Sequence, residues 1–93
     1  MAITHNLKII ILDTYHVNDS VVIKVKLINE SKSEKIKNPI FEVVRLPKKL
    51  FKQNKWVLRI FSEFRPLEYK IVEFDLNTKP IPDTEFSVIT YKF

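Results

Sequence analysis

The sequence predicts an all-β domain, and three observations carry that prediction. Apolar and polar residues alternate with a period of two over most of the chain, the signature of half-buried strands. β-Branched Val, Ile and Thr supply 26 of the 93 residues, and these are the side chains that fit a pleated surface. Polar clusters rich in Asn, Asp and Ser separate the alternating runs, and no long segment carries a helical period. Six short strands spaced roughly 10 to 20 residues apart suggest a two-layer sandwich or a small closed barrel.

The first strand is expected over residues 7–15, where an apolar run is interrupted by Lys8 and closed by Asp13. A turn at Asn18-Asp19-Ser20 leads into the clearest strand, residues 21–29, with Val21, Ile23, Val25 and Leu27 on one face and Lys24 and Lys26 on the other. The chain has no glycine, so Asn and Asp are the residues best able to take left-handed turn conformations, and their positions mark the hairpins. Asn29, Asn38, Asn54 and Asn77 punctuate the rest. A third strand is expected over 40–46, a fourth over 56–61, a fifth over 69–76 and a sixth over 86–93. Prolines 39, 47, 66, 80 and 82 fall between these runs or at their ends, where a missing N–H does no harm. Residues 48–55 could form one turn of helix, with Pro47 at its first position and Leu50 and Phe51 facing inward.

Composition excludes whole classes of function. Average usage would place about 6 or 7 glycines in a chain this long, and their absence removes phosphate-cradling loops, dinucleotide fingerprints, nucleophile elbows and EF-hand loops. Zero cysteine removes disulfides, thiolate metal sites and cysteine nucleophiles. A single domain spanning 1–93 has few side chains to divide between a core and a deep cleft, so an enzyme is the poorer expectation. High Ile and Lys (12 and 13 residues) and a single Gln resemble heat-adapted composition, archaeal or viral, although an AT-rich genome gives the same bias. The apolar run near the N-terminus is far shorter than the ~20 residues of a membrane span. It also lacks the basic start and cleavage site of a signal peptide. The expectation is a cytoplasmic protein without membrane insertion.

Charge is concentrated in the middle of the chain. Residues 45–65 carry seven Lys+Arg and one acid, whereas 1–44 carry six and five and 66–93 carry three and five. The block contains Arg45, Lys48, Lys49, Lys52, Lys55, Arg59 and Arg65, interleaved with Phe51, Trp56, Phe61 and Phe64. Cations for phosphates beside aromatic faces for bases compose a single-strand-binding surface. The same pattern describes a solvated hairpin whose aromatics face the core, or a basic patch steering an acidic protein partner. The last of these is the favoured functional reading, with Arg45, Lys48, Lys49, Lys52, Lys55, Trp56, Arg59 and Arg65 as the contact residues.

Other candidates are weaker. His5 and His16 stand at opposite ends of the first strand, roughly 35 Å apart if extended, too far to share a metal. Glu73 and Asp75 fall on one strand face and could flank a cation, but with Lys70 nearby a solvated polar face explains them better. The serines lack a recognisable activating His and Asp. No cofactor and no catalytic residue is assigned. Asn18-Asp-Ser20 and Asn29-Glu-Ser31 match the N-glycosylation pattern, as turns rich in Asn and Ser do by chance.

The run Val21-Val-Ile-Lys-Val-Lys-Leu-Ile-Asn29-Glu-Ser31, then Ile36-Lys-Asn-Pro39 and a third strand, resembles the start of immunoglobulin-like modules of the CARDB and NEW3 type. Pro66-Leu-Glu-Tyr-Lys-Ile-Val-Glu-Phe-Asp-Leu76 followed by Ile81-Pro-Asp-Thr-Glu-Phe-Ser-Val88 is similar to their later strand pair. The resemblance spans about Val21–Tyr91. It implies an immunoglobulin-like β-sandwich of six to seven short strands, and a non-catalytic module for adhesion or assembly. The chain ends where the last strand of those modules would begin, which leaves a sheet edge to pair with a partner chain. The last strand, with Val88, Thr90, Tyr91 and Phe93, is the candidate edge, against the plainer expectation of a central strand packed on the core.

The resulting expectation is a small accessory or structural subunit acting through protein–protein contacts, with homo-oligomerisation through an edge as a third route. The alternative is a small OB-like barrel that binds nucleic acid, or serves a replication or transcription enzyme, through residues 48–65.

Overall fold

A computed structural model describes residues 7–47 and 54–90, and it is all-β with no helix among them. Eight strands run in chain order: β1 (Leu7–Val17), β2 (Ser20–Asn29), β3 (Ile36–Lys37), β4 (Ile40–Leu46), β5 (Lys55–Arg59), β6 (Glu63–Phe64), β7 (Tyr69–Asp75) and β8 (Glu85–Thr90). They form antiparallel sheets of order β1-β2-β7 and β5-β4-β8, with β3-β6 as a third, two-stranded piece. No sheet closes on itself among the described residues, so the barrel alternative is corrected to a sandwich.

The layers are held by the face that alternation predicts. Val21, Ile23, Val25 and Leu27 of β2 are buried against Phe41 and Val43 of β4, together with Ile36, Trp56, Ile60, Phe64 and Leu76. Phe41 meets Phe74 of the opposite sheet edge-on, with ring centroids 5.7 Å apart, the geometry that brings a positive ring edge onto a negative face. Each such fully buried side chain contributes about 1.5–3 kcal/mol of transfer free energy.

Two strands escaped the sequence reading. β3 and β6 have two residues each, too short to show a period, yet they extend the β4–β5 hairpin. Asn38 N–H donates to the Ser62 carbonyl at 2.9 Å and Ile60 N–H to the Pro39 carbonyl at 3.0 Å, so residues 36–46 and 55–64 form one bent hairpin. The bend falls where Pro39 follows Asn38, whose φ is 47°. The expected helical turn over 48–55 lies mainly outside the described residues, and its last residue, Lys55, opens β5 instead.

The turns follow the expected chemistry. Asn18 and Asp19 take φ of 49° and 62°, the two consecutive left-handed residues of a type I′ hairpin whose twist matches its strands. Asn77 and Asp83 are also left-handed. Leu67 is the exception, with φ 64°. It follows Pro66 in a turn closed by Glu68 N–H on the Arg65 carbonyl at 3.0 Å, a type II turn that normally has glycine at this position. For a leucine the left-handed region costs about 1–2 kcal/mol.

Asn29 ends β2 with no exposed surface. Its Nδ2 donates to the carbonyls of Glu34 (2.7 Å), Phe64 (3.2 Å) and Arg65 (3.1 Å), and its Oδ1 accepts from Ser31 N–H at 3.0 Å. Ser31 Oγ in turn accepts from the N–H groups of Ser33 and Glu34. The 30–35 loop is thus folded onto β6 by a side chain, and a buried Asn29 is closed to glycosylation.

Two predictions follow from these loops. Asn29→Ala leaves three carbonyls and one N–H to find new partners and destabilises the domain by about 2–4 kcal/mol, read as a fall in the urea midpoint. Leu67→Gly, at an exposed position, relieves the backbone cost but loosens the unfolded chain. The net expectation is about 0.5–1 kcal/mol of stabilisation, read in the same titration.

Candidate interaction surfaces

The structure separates the basic segment rather than gathering it. On β4, hydrogen bonds to β5 and β8 alternate along the strand, and side chains alternate between the core and the outside. Phe41, Val43 and Arg45 share the inward parity, and across the sheet they face Leu58, Trp56, Val88 and Phe86. Arg45 is consequently 3% exposed and Trp56 9%. The guanidinium lies 5.3 Å from the Trp56 ring and 5.4 Å from the Phe86 ring. Its Nη2 donates to Thr78 Oγ1 at 3.2 Å and to the Lys79 carbonyl at 3.1 Å. Burial pushes the Arg45 pKa below its ordinary value, and guanidinium still stays charged, because arginine titrates so far above neutrality. Arg45 and Trp56 are therefore interior, a correction to their expected place on a contact surface.

The remaining described members of the block are exposed. Lys55 and Arg59 lie on the outer face of β5, where Lys55 Nζ is 3.6 Å from Glu42 Oε1. Arg65 lies beyond β6, at the start of the Pro66-Leu67 turn. Lys48, Lys49 and Lys52 lie outside the described residues. Of the interleaved aromatics, Trp56 and Phe64 are core, Phe51 lies outside the described residues, and Phe61 is 82% exposed with the Arg59 guanidinium 5.9 Å from its ring. Parity could have singled out Phe61: Lys55, Val57, Arg59 and Phe61 alternate with the inward Trp56, Leu58 and Ile60.

Among the described residues, β8 stands at the edge of the β5-β4-β8 sheet. β8 pairs with β4 alone among the described residues, while β1 of the other sheet runs alongside it. Arg45 N–H bonds to the Asn54 carbonyl at 2.7 Å and Ile60 N–H to the Pro39 carbonyl at 3.0 Å, so odd-numbered β4 residues point their backbone toward the β5 strand. The even-numbered ones point toward β8, opposite Glu85, Ser87 and Ile89. By the alternation of antiparallel ladders, the N–H and C=O of Phe86, Val88 and Thr90 face away from β4. Tyr91 and Phe93 lie outside the described residues. At the Glu85 end, β1 and β8 part around a cavity of about 250 Å³ walled by Thr14, His16, Ile81, Thr84, Glu85 and Phe86.

Glu73 and Asp75 do share a face, as expected, but each is engaged by a hydroxyl. Tyr15 O–H donates to Glu73 Oε1 at 2.9 Å, which raises the Tyr15 pKa because the phenol is needed as donor. Ser20 O–H donates to Asp75 Oδ1, and so does Asn77 N–H at 2.8 Å. These bonds hold the Asp75 carboxyl below the usual range, the Ser20 bond contributing most. His16 lines the cavity and His5 lies outside the described residues. No group of three or more His, Asp or Glu among the described residues could hold a metal ion. No helix among them is long and apolar enough to cross a membrane. Comparison with protein-family models, curated proteins and solved structures finds no match.

The Asp75 contacts have a signed consequence. A depressed carboxyl contributes stability above its unfolded pKa of about 3.9, and that contribution is lost as pH falls through the folded value. Ser20→Ala should raise the Asp75 pKa toward the ordinary range, measured by the carboxyl chemical shift against pH.

Proposed function

We propose that this chain is a non-catalytic protein–protein interaction module, an immunoglobulin-like accessory or structural subunit that takes a partner strand at the open edge of β8. The observation that supports it is the backbone of Phe86, Val88 and Thr90, which turns its donors and acceptors away from β4. Main-chain groups of this kind give affinity to an added strand, and alternate side chains give specificity. The sheet order β1-β2-β7 against β5-β4-β8 is that of a two-layer β-sandwich, the kind of fold that the CARDB and NEW3 resemblance implies.

The electrostatic reading of residues 45–65 is weakened by the burial of Arg45, but an exposed cation beside an exposed ring remains at Arg59 and Phe61. That pair supports nucleic-acid binding as the second reading, with Phe61 as the stacking ring.

The test captures partners from the source cells with wild-type protein and with Val88→Pro, which deletes an outward donor without removing a bond to β4. The expected result is loss of the captured partner from a variant that still melts cooperatively. Amide exchange in the wild-type complex gives the second measurement, with the Phe86, Val88 and Thr90 amides slowing about a hundredfold or more on binding. Amides that exchange at the free rate in the complex would overturn the edge reading. Saturable, salt-steep binding of a labelled oligonucleotide, lost in Phe61→Ala, would favour the second reading.

A further inference from the structure

The edge of the β5-β4-β8 sheet opposite β8 carries a charge pattern that the β8 reading leaves unused. Among the described residues β5 pairs with β4 alone. The bonds from Arg45 N–H to the Asn54 carbonyl and from Ile60 N–H to the Pro39 carbonyl fix the phase of that ladder. Trp56 and Leu58 exchange bonds with their opposite residues, Val43 and Phe41. By alternation the N–H and C=O of Lys55, Val57 and Arg59 face away from β4. Their side chains lie on the outer face of the sheet, because Trp56 and Leu58 take the inner one.

These residues therefore offer outward main-chain groups and solvent-facing side chains together, in the order cation, apolar, cation. Val57 is 58% exposed between the two charges. Lys55 is shared with Glu42 of β4, whereas the Arg59 guanidinium leans on the exposed Phe61 ring. The pattern selects against a second copy of this edge. An antiparallel copy centred on Val57 sets Lys55 opposite Arg59, and like charges directly opposite one another destabilise a strand pair. The same charges favour a strand that brings acids to those positions.

An added antiparallel strand has one residue opposite each of Lys55, Val57 and Arg59. Each exchanges two main-chain bonds with its opposite number and places its side chain on the same outer face. Opposite Cβ atoms stand about 5 Å apart, close enough for a carboxylate to meet the Arg59 guanidinium. We propose that β5 is a second strand-docking edge of this chain, and that its partner is an extended protein segment of the pattern acid-x-apolar-x-acid. A strand fits better than a nucleic acid here, because successive donor and acceptor pairs of a backbone are matched by another backbone and Val57 by an apolar side chain. The inference does not rest on the β8 reading, since β4 separates the two edges.

The length of the edge sets the strength. The main-chain bonds of three residues and two solvent-exposed ion pairs are set against the ordering of a free peptide. An isolated segment is therefore expected to bind with a dissociation constant on the order of 1 mM. Because Lys55 is already shared with Glu42, Arg59 carries the larger part of the charge selection.

The probe is the capped heptapeptide Thr-Glu-Thr-Val-Thr-Glu-Thr, titrated into the full chain to about 10 mM with backbone amide chemical shifts as the readout. The control is the same peptide with both glutamates replaced by lysine. Saturable shifts are expected at the Lys55, Val57 and Arg59 amides, with the lysine peptide at least about tenfold weaker. Arg59→Glu is expected to weaken the glutamate peptide about tenfold. A peptide with lysine in place of the first glutamate alone, which faces position 59 in antiparallel pairing, should recover to within about threefold on that variant. A thermal melt confirms that Arg59→Glu folds; should it not, the two peptides on the unaltered chain still decide. No shift at the highest concentration overturns the proposal, as does equal affinity for the glutamate and lysine peptides. Shifts at the Phe86 and Val88 amides in place of the β5 amides overturn it too. So does an oligonucleotide that saturates the β5 amides where the glutamate peptide fails, and this favours the nucleic-acid reading. The two edges are read at different amides, so failure at β5 leaves partner capture at β8 to its own test.

Discussion

Two buried polar side chains, one from the central strand of each layer, tie the sandwich shut at its opposite ends. β2 runs from the Asn18-Asp19 hairpin to Asn29, and β4 runs back to Arg45. At one end the Asn29 amide holds carbonyls of the 30–35 loop and of β6. At the other the Arg45 guanidinium holds residues 78 and 79, the segment that crosses from β7 to β8. Buried polar groups are costly unless satisfied, so each side chain works in both directions: the loop satisfies the side chain, and the side chain fixes the loop. The flat Arg45 group against both Trp56 and Phe86, whose rings also meet each other, adds a constraint that a purely apolar core lacks, since it fits only where two rings and two oxygens converge.

The lack of glycine explains why side chains carry so much of this task. A chain without glycine cannot shape long loops from freely rotating backbone. Left-handed conformations fall to Asn18, Asp19, Asn38, Asn77 and Asp83, whose short polar groups tolerate them. Between these points the loops are shaped by side-chain to backbone bonds, as at Asn29 and Ser31. At Leu67 the left-handed residue is neither Asn nor Asp, and the turn is held by its neighbours instead, with Arg65 N–H donating to Glu68 Oε1 at 2.8 Å.

The elements legible in the sequence were those where one face alone is buried. β2 alternates from Ile23 to Asn29, with Val22 buried out of phase at its start, and its inward set of Val21, Ile23, Val25 and Leu27 follows from the sequence pattern. β4 was placed within its true bounds, but apolar residues occupy both of its faces, so parity alone did not decide where Arg45 points. Charge suggested the surface, whereas register against β5 and β8 places it with Phe41 and Val43. β3 and β6 were illegible because two residues cannot show a period. Their existence depends on the bend at Pro39, which only the pairing of the whole hairpin reveals. Asn29 was read as punctuation because a turn asparagine and a buried cap look alike in sequence. The difference lies in which carbonyls the fold delivers to it.

The same accounting directs attention to edges. The interior of a domain this small is filled by its own aromatic and aliphatic side chains, and its two ends are closed by Asn29 and Arg45. Surface chemistry then resides where pairing stops, at the β8 and β5 edges of one sheet. These differ in kind. At β8 the residues that turn their main-chain groups outward include Phe86 and Val88, whose side chains face the interior, so that edge suits the shape of a strand and its apolar fit. At β5 the corresponding residues are Lys55, Val57 and Arg59, whose side chains face solvent, so that edge suits charge as well. Because β4 lies between them, use of one does not consume the other.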